Sequence, residues 1–394
     1  MSTLRSLLLP ACLIASTTVA HAQQNVVDCA TEALAPVVEK VKDKRTIQFT
    51  GVCTGPLVIR TDGVTLSGLG AAIIDGGGAD AVTILGASNV TLADFEVRGG
   101  LNGIVARNGA HLTLSNVSAN GNTRSGITLQ ASSSASLTDV AVRNNGFHGL
   151  DVGNGSAITV TGDLTAAANR VFGINVNGSS VTFSEATVVA TGNALGIQIA
   201  TSANAFLNDS DTTISVTNNL ATGLTVVSGA QLVSFGGSIV SSGNPVAGVS
   251  VNSKAGLDLD AGSTLTSTNN GVGLLIQQAS VMTVFNNPQF SGVPGFSTVN
   301  TNQNASAGVR VLTGATLTLS NQARVLSTQN GGIGFAADNG ASVTLVNSTL
   351  TGNTIRDIQL TFAARADIRT TTIGTATCDA TVLIRGTSAI VCPQ

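Results

Sequence analysis

The chain has 394 residues, of which 43% are hydrophobic and 10% are charged, and its formal net charge is −3. It contains 45 glycines and 12 phenylalanines, with no tryptophan and no tyrosine. The mild acidity gives no electrostatic basis for binding nucleic acid. The abundance of small, β-branched and amide side chains favours a thin repetitive stack over a globule.

The first residues have the features of a secretory signal. Arg5 precedes an apolar run at 7–15, and residues 20–22 (Ala-His-Ala) have the small-x-small pattern of a cleavage site. We therefore predict a signal peptide at 1–22. A lipoprotein site at Cys12 is the alternative, but it leaves too short an apolar region before the cut. No other stretch approaches the ~20 apolar residues of a membrane helix. The sequence thus predicts an exported protein, periplasmic or extracellular, without a membrane span.

Four cysteines follow the signal, with Cys29 and Cys53 near one end and Cys378 and Cys392 near the other. Cysteines of exported proteins usually pair as disulfides. We predict two local disulfides, Cys29–Cys53 and Cys378–Cys392. A metal shared by all four would require the two ends of the stack to meet, so no metal site is predicted.

Residues 23–56 are predicted to form an N-terminal cap that contains a helix at about 31–43. Leu34 and Val38 fall on one face of this helix. Pro36 fits a helix only near its first turn. A helix laid across the end of a stacked sheet would block further strand pairing there.

A repeated unit extends over 57–377, in which an asparagine precedes a glycine by four residues. The units recur at about 23 to 27 residues, a period typical of stacked repeat proteins. Short alternating strands lie between the asparagines and should pair in parallel with their copies. We predict a right-handed parallel β-helix of roughly 13 coils, closed by a last coil at 378–394. The repeated asparagines are Asn122, Asn145, Asn169, Asn219, Asn244, Asn269, Asn304, Asn330 and Asn353.

These asparagines are expected to form a ladder, in which each side-chain amide donates to the carbonyl oxygen of the next. The glycine is expected to supply a positive φ where the chain leaves the turn. Two units differ from the pattern. Asn193 precedes Gly196 by only three residues, which predicts a distorted turn, and Asn353 precedes Asp357 in place of a glycine. A wider spacing between Gly273 and Gly308 predicts an external loop at 285–307.

The signal peptide, the N-terminal cysteine pair with its helix, the Asn-x-x-x-Gly coils and the terminal Cys-Pro resemble exported bacterial right-handed parallel β-helix repeat proteins. Those proteins share the pectate-lyase fold. The resemblance covers essentially the whole mature chain and implies its fold. It implies no activity, because this fold hosts lyases, hydrolases, epimerases and proteins with no known reaction.

Enzymes of this fold that cut acidic polysaccharides carry clustered carboxylates with an Arg or Lys on one outward face. The pattern of polygalacturonase-like enzymes would include an Asp-Asp pair and an Arg-Ile-Lys tripeptide, and the chain has neither. Asp209 with Asp211, and Asp258 with Asp260, could hold Ca²⁺ together with backbone carbonyls, but no coordination set is defined. Solvation is the favoured interpretation of these carboxylates, and no cofactor is predicted.

Alignment of the coils on their glycines brings one acid, one imidazole and several guanidinium groups together. Asp151 and His148 are the candidate catalytic residues. The candidate substrate-binding residues are Arg107, Arg124, Arg170, Asn175 and Asn177. Solvated side chains at the edge of a turn are the favoured alternative, because surface ion pairs are common and contribute little.

One outward column of hydroxyls is also predicted. Such a face resembles that of ice-binding solenoids, but a single column is narrower than those faces need, and threonine is a good strand former. The phenylalanines are predicted to lie mostly inward, and isolated His111 is given no role. The column consists of Thr91, Thr113, Ser136, Thr159 and Thr182.

Two classes of function remain. The first is an extracytoplasmic binding or structural module whose partner is a polysaccharide or another extracellular surface. The alternative is a polysaccharide lyase or hydrolase that acts on acidic glycans around Asp151. The missing paired carboxylates and the missing Trp and Tyr favour the first class, so enzymatic activity stays open with the balance against it.

Overall fold

A computed structural model describes residues 26–287, 296–320, 322–386 and 390. The predicted signal peptide at 1–22 lies outside the described residues. So does Cys392, and with it the predicted Cys378–Cys392 disulfide.

The described chain is a parallel β-solenoid in which every strand pairs with its copies in the neighbouring coils. Fourteen strands, one per coil, form the sheet that we call the first face. The expected β-helix is confirmed, with about one coil more than predicted. The strands of the first face are β3 (Leu57–Ile59), β5 (Val82–Leu85), β7 (Ile104–Arg107), β9 (Ile127–Leu129), β11 (Leu150–Gly153), β13 (Phe172–Asn177), β15 (Leu195–Ala200), β18 (Thr222–Val227), β21 (Ala247–Asn252), β24 (Val272–Ile276), β27 (Ala307–Val311), β30 (Ile333–Ala337), β33 (Arg356–Leu360) and β36 (Ala376–Cys378).

The remaining strands form a 23-stranded sheet that is folded lengthwise into two faces. In the N-terminal coils, one long strand crosses the fold. In four of them it bends at a residue with positive φ: Asp94, Asn116, Asp139 or Glu185. The part before the bend belongs to the second face and the part after it to the third face. The strands of these coils are β1 (Val26–Asp28), β2 (Thr46–Thr54), β4 (Thr65–Asp75), β6 (Val90–Arg98), β8 (His111–Asn120), β10 (Ser134–Arg143), β12 (Ala157–Ala167) and β14 (Ser180–Thr191).

Later coils place a separate strand on each of these two faces. The second face continues with β16 (Asn204–Leu207), β19 (Gln231–Phe235), β22 (Gly256–Asp260), β25 (Val281–Val284), β28 (Thr316–Leu319), β31 (Ser342–Val346), β34 (Arg365–Arg369) and β37 (Leu383–Gly386). The third face continues with β17 (Thr213–Thr217), β20 (Ser238–Ser242), β23 (Thr264–Thr268), β26 (Thr298–Asn302), β29 (Arg324–Thr328), β32 (Thr349–Thr351) and β35 (Thr372–Ile373). The predicted loop at 285–307 was therefore too long, because it includes β26 and the first residue of β27.

The one helix among the described residues, α1, spans Leu34–Glu39 and is shorter than the predicted 31–43. The carbonyl of Asp28 accepts hydrogen bonds from the amides of Thr31 and Glu32, which form a turn where the helix was expected to begin. Buried Leu34 and Val38 face the end of the solenoid. Because β1 and β2 already pair as rungs, the predicted cap at 23–56 is not separate from the solenoid.

A disulfide joins Cys29 to Cys53, as predicted, with their Cα atoms 5.0 Å apart. It links the segment before α1 to β2, the strand that follows the helix. Such a bond is typical of proteins that fold in an oxidising compartment.

A ladder of asparagines runs through the turn between the third and first faces. From Asn145 onward, each Oδ1 accepts two hydrogen bonds from the asparagine of the preceding coil, one from its backbone amide and one from its Nδ2. Oδ1 of Asn193, for example, accepts from the backbone amide and the Nδ2 of Asn169, at 2.9 and 3.0 Å. The distortion predicted at Asn193 is therefore absent from the ladder, because the shorter spacing affects only the segment between Asn193 and Gly196. Members run Asn122, Asn145, Asn169, Asn193, Asn219, Asn244, Asn270, Asn304, Asn330 and Asn353.

One predicted ladder residue is wrong. Asn270, which is 2% exposed, occupies the ladder, whereas Asn269 lies outside it, exposed and with a φ of 56°. Adjacent asparagines made the choice ambiguous in the sequence. The backbone resolves it, because the residue before a ladder asparagine turns the chain and its side chain points to solvent.

The repeated glycine is needed for space, not for a positive φ. Gly126 lies outside the left-handed region. A Cβ at Gly126 would lie 2.7 Å from Nδ2 of Asn145 and 2.8 Å from the carbonyl oxygen of Gly149. A side chain would therefore collide with the ladder and the next coil, which corrects the conformational role expected from the sequence.

Asp357 ends the ladder by replacing the next asparagine with a carboxylate. Its Oδ1 accepts hydrogen bonds from the backbone amide and the Nδ2 of Asn353, at 2.9 and 2.8 Å. Its Oδ2 accepts from the amide and the hydroxyl of Thr375. Burial alone would raise the pKa of Asp357, but these hydrogen bonds outweigh burial and hold the pKa below its ordinary value of 3.8.

The ladder assignment predicts opposite outcomes for two neighbouring asparagines. Asn270→Ala removes the acceptor of two hydrogen bonds from Asn244 and should lower the free energy of unfolding by about 1–3 kcal/mol. Asn269→Gly replaces an exposed residue that has a positive φ, so it should change stability little. Chemical denaturation of both variants tests this, and the reverse order of stability would refute the assignment.

The capping role of Asp357 predicts a pH dependence. A carboxylate with a depressed pKa stabilises the fold above its unfolded-state pKa, and this contribution is lost as the pH falls through the folded-state pKa. Asp357→Asn should therefore lower the melting temperature at neutral pH, and its difference from the native chain should shrink below about pH 4. Exposed Asp211 supplies the control, Asp211→Asn. A deficit of Asp357→Asn that does not vary with pH would contradict this role.

Candidate functional site

Asp151 lies on the outward side of the first face, where β11 pairs with β13 and places it beside Asn175. Nδ2 of Asn175 donates a hydrogen bond of 2.8 Å to Oδ1 of Asp151. Asn175 is 8% exposed, so its side chain is held under the surface. Parallel pairing in register thus brings together an acid and an amide that lie 24 residues apart in sequence.

His148 precedes β11, and its ring lies against two phenyl rings in tilted arrangements. Its ring centroid lies 3.8 Å from that of Phe147 and 5.1 Å from that of Phe172. Its Nδ1 accepts a hydrogen bond of 3.3 Å from the backbone amide of Phe172, and the residue is 5% exposed. Phe147 is 39% exposed, so one of these aromatic rings faces solvent. We call these three rings with Asp151 and Asn175 the aromatic–acid patch.

Burial lowers the pKa of His148 below its ordinary value of 6.5, the negative charge of Asp151 raises it, and the positive charge of Arg124 lowers it. The net shift is downward, so the imidazole is neutral at physiological pH. Because Nδ1 accepts from the Phe172 amide, the neutral ring carries its proton on Nε2. His148 therefore has no free basic nitrogen with which to accept a proton.

Of the predicted site residues, the structure brings together His148, Asp151 and Asn175, and it places Arg124 within electrostatic reach of His148. Arg107 lies elsewhere, since its guanidinium pairs with Asp80 at 3.4 Å.

Two further predicted residues lie outside the patch. Arg170 and Asn177 are exposed, and within 26–287 no side-chain hydrogen bond or ion pair joins them to it.

A second carboxylate is distant from Asp151. Asp80 lies in the same column as His148, three rungs away through Asn102 and Ser125, which is ~14 Å at the usual strand spacing. Asp151 is displaced from that column by a further three residues along the chain. The two carboxyl groups of glycosidases lie about 5 to 9.5 Å apart. Asp80 and Asp151 are therefore too far apart for that division of roles.

The expectation that the phenylalanines form the core is wrong for most of them. Only Phe49, Phe95, Phe183 and Phe335 are buried among the described residues. Phe147 lies in a turn before its strand, where side chains point outward. Alignment on Gly149 contained this signal, because Phe147 and Arg124 occupy the same position before successive glycines.

One carboxylate of each acidic pair that was considered for Ca²⁺ has structural partners. Asp209 accepts hydrogen bonds from Ser184, Glu185 and Thr212. Asp260 is 2% exposed and accepts from the amide of Ala261.

The described ranges contain no group of three or more His, Cys, Asp or Glu side chains that could hold a metal ion. Within the same ranges no helix is long and apolar enough to cross a membrane.

Comparison with known proteins places the chain by its fold. Residues 59–221 match the model of the family described as "Right handed beta helix region". The enzymatically active domain of tailspike protein 2 of bacteriophage CBA120 is similar in structure, with a TM-score of 0.50 and 12% identity. That alignment covers 62% of this chain but only 43% of the tailspike domain, so the chain spans less than half of it.

Two other solved structures align more weakly. The A-module of mannuronan C-5 epimerase AlgE6 of Azotobacter vinelandii has a TM-score of 0.46 and 16% identity, over 89% of this chain and 93% of the module. An alginate lyase of Paenibacillus sp. str. FPU-7 has a TM-score of 0.38 and 14% identity, over 65% of this chain and 98% of the enzyme. No curated protein sequence matches the chain. The chain is a right-handed parallel β-helix protein, and these likenesses show its fold alone.

The surroundings of His148 predict its titration. NMR of the ring Cε1–H should give a midpoint below 6.5, the ordinary pKa of histidine. Asp151→Asn should move the midpoint further down, because it removes a stabilising negative charge, and Arg124→Gln should move it up. A native midpoint above 6.5, or shifts of opposite sign, would show that the ring is not buried beside these two charges.

Proposed function

We propose that the protein is an exported glycan-binding β-helix module that engages sugars through the aromatic–acid patch. The observation that carries this proposal is that His148 contacts the solvent-facing ring of Phe147 and lies within electrostatic reach of Asp151, which is hydrogen-bonded to Asn175. Ligand sites commonly combine an apolar surface with a few fixed polar groups.

The chemistry of the patch suits a pyranose ring. A sugar presents a face of C–H groups that can pack on a phenyl ring, and the positive edge of those groups complements the negative face of the ring. Its hydroxyls can donate to Asp151, whose carboxylate is oriented by Asn175. Asn175 is itself nearly buried, so this acceptor is held in place before a ligand arrives.

The same features support binding in preference to cleavage. General acid–base catalysis needs titratable groups within hydrogen-bond reach of the substrate. His148 is neutral and its Nδ1 is occupied. The carboxylate-bearing residue Asp80 lies three rungs from the coil of Asp151, which is ~14 Å at the usual strand spacing. The lyase or hydrolase centred on Asp151 stays the alternative.

Export is part of the proposal. It is supported by the sequence pattern of a signal peptide and by the Cys29–Cys53 disulfide. A glycan partner would then be met in the periplasm or outside the cell.

Oligosaccharide binding tests the proposal directly. Purified mature protein should bind a subset of glycans on an array, and titration calorimetry should show about tenfold weaker binding, ~1.4 kcal/mol, for Phe147→Ala and for Asp151→Asn. The control is Phe362→Ala, which removes a ring that is 64% exposed but lies elsewhere. Equal binding by all variants, or no glycan binding at all, would refute the proposal.

A parallel assay separates binding from catalysis. The native protein is incubated with polygalacturonate, alginate and rhamnogalacturonan, with and without Ca²⁺, and new reducing ends and unsaturated products are measured. We expect no cleavage. Cleavage that is lost in Asp151→Asn would replace the binding proposal with the enzymatic alternative.

A further inference from the structure

The third face carries a regular array of small polar side chains that the proposed glycan site does not use. The outward positions of the second half of β14 and of β17, β20 and β23 form three columns over four rungs. Ten of these twelve side chains are hydroxyls and two are valines, so none is charged or aromatic. The columns are Thr187, Thr213, Ser238 and Thr264, then Val189, Ser215, Val240 and Thr266, then Thr191, Thr217, Ser242 and Thr268.

The array is regular in two directions. Strands in this region pair without a register shift, so each column is straight. Rungs repeat at ~4.8 Å and outward residues along a strand at roughly 6.7 Å. The third face continues in the same register into β26, which adds Asn300 and Asn302. The array is thus a two-dimensional lattice of hydroxyl and methyl groups.

Hydrogen bonds between rungs hold several of these hydroxyls in place. Thr264 donates to Ser238 over 3.1 Å, and Thr217 donates to Thr191 over 3.2 Å. A surface whose side chains are already ordered loses less conformational entropy when it binds an ordered partner.

The hydroxyl column noted in the sequence is narrower and less regular. On the second face, Thr182 is followed in its column by Phe206 and then by Val233, so the run of hydroxyls ends there. His111 lies beside the column, hydrogen-bonded to Ser134. The third-face array is three columns wide, and apolar residues occur only in its middle column, as Val189 and Val240.

We propose that the third-face array binds ordered water at the surface of an ice crystal. The partner must itself be uncharged and periodic in two dimensions, because the array offers no charge and no pocket, only repeated hydroxyls and methyls. Hydroxyls at fixed spacing can hydrogen-bond to successive waters of a lattice plane, while the methyls of threonine and valine fit between them. A flexible glycan is matched less well, since the exposed ring and the carboxylate that would select a sugar lie on the first face.

Ice affinity of the purified mature chain tests this proposal. We expect thermal hysteresis, inhibition of ice recrystallisation and partition of the protein into a growing ice front. Thr266→Lys places a long charged side chain in the middle column and should abolish all three. The matched control is Thr225→Lys, at a half-buried mid-strand threonine of the first face, which should retain them. Circular dichroism melts of both variants verify that each is folded.

Each other outcome overturns the proposal. The native protein could show no ice activity, or both lysine variants could lose it equally, and either result removes the array as an ice-binding surface. Pull-down on microcrystalline cellulose and chitin is the second arm. Retention on these solids that is lost in Thr266→Lys, without ice activity, would assign the array to a crystalline polysaccharide instead.

Discussion

Stacking of asparagine side chains in a buried turn is the interaction on which the rest of the structure depends. From Asn145 onward, each ladder oxygen accepts two hydrogen bonds from the preceding coil, as Asn219 does from Asn193. A shift of one coil by a single residue would leave both donors buried without a partner, at a cost of roughly 1–3 kcal/mol each. The ladder therefore fixes the register between coils. The repeated glycines let the coils approach closely enough for it to form, because a Cβ at Gly126 would meet the ladder amide and the next carbonyl.

Register is what creates the surfaces. Residues about two dozen positions apart become neighbours only when every intervening turn holds its place. Asp151 meets Asn175 in this way on the first face, and Ser215 aligns with Val189 and Val240 on the third. The two faces have different chemistry, since one combines a phenyl ring with a carboxylate and the other is an uncharged lattice. A solenoid can carry both, because its faces share one core but point in different directions.

Both ends of the stack need special solutions, since an open sheet edge exposes unpaired backbone groups. At the N-terminal end, α1 buries Leu34 and Val38 against the first coil, and the Cys29–Cys53 disulfide ties the flanking segments together. Toward the C-terminal end, the carboxylate of Asp357 accepts the hydrogen bonds that another asparagine would have received. Its Oδ1 receives the two bonds from Asn353 and its Oδ2 accepts from the amide and hydroxyl of Thr375, so the amide of Asn353 is not left unpaired.

The sequence alone determined the parallel β-helix and most of the ladder, because stacked coils repeat the same residue types at a regular interval. It also determined the Cys29–Cys53 pairing, because these two cysteines lie near the same end of an exported chain. Tertiary structure alone decided between Asn269 and Asn270, because the two are adjacent and only the backbone shows which side chain turns inward. It also decided that Phe147 faces solvent and that Arg107 pairs with Asp80, not with the residues around Asp151. Periodicity places a residue on a face, but only the packed coils determine which groups on that face touch. The lattice on the third face was missed because its columns mix threonine, serine and valine and so repeat no single residue type.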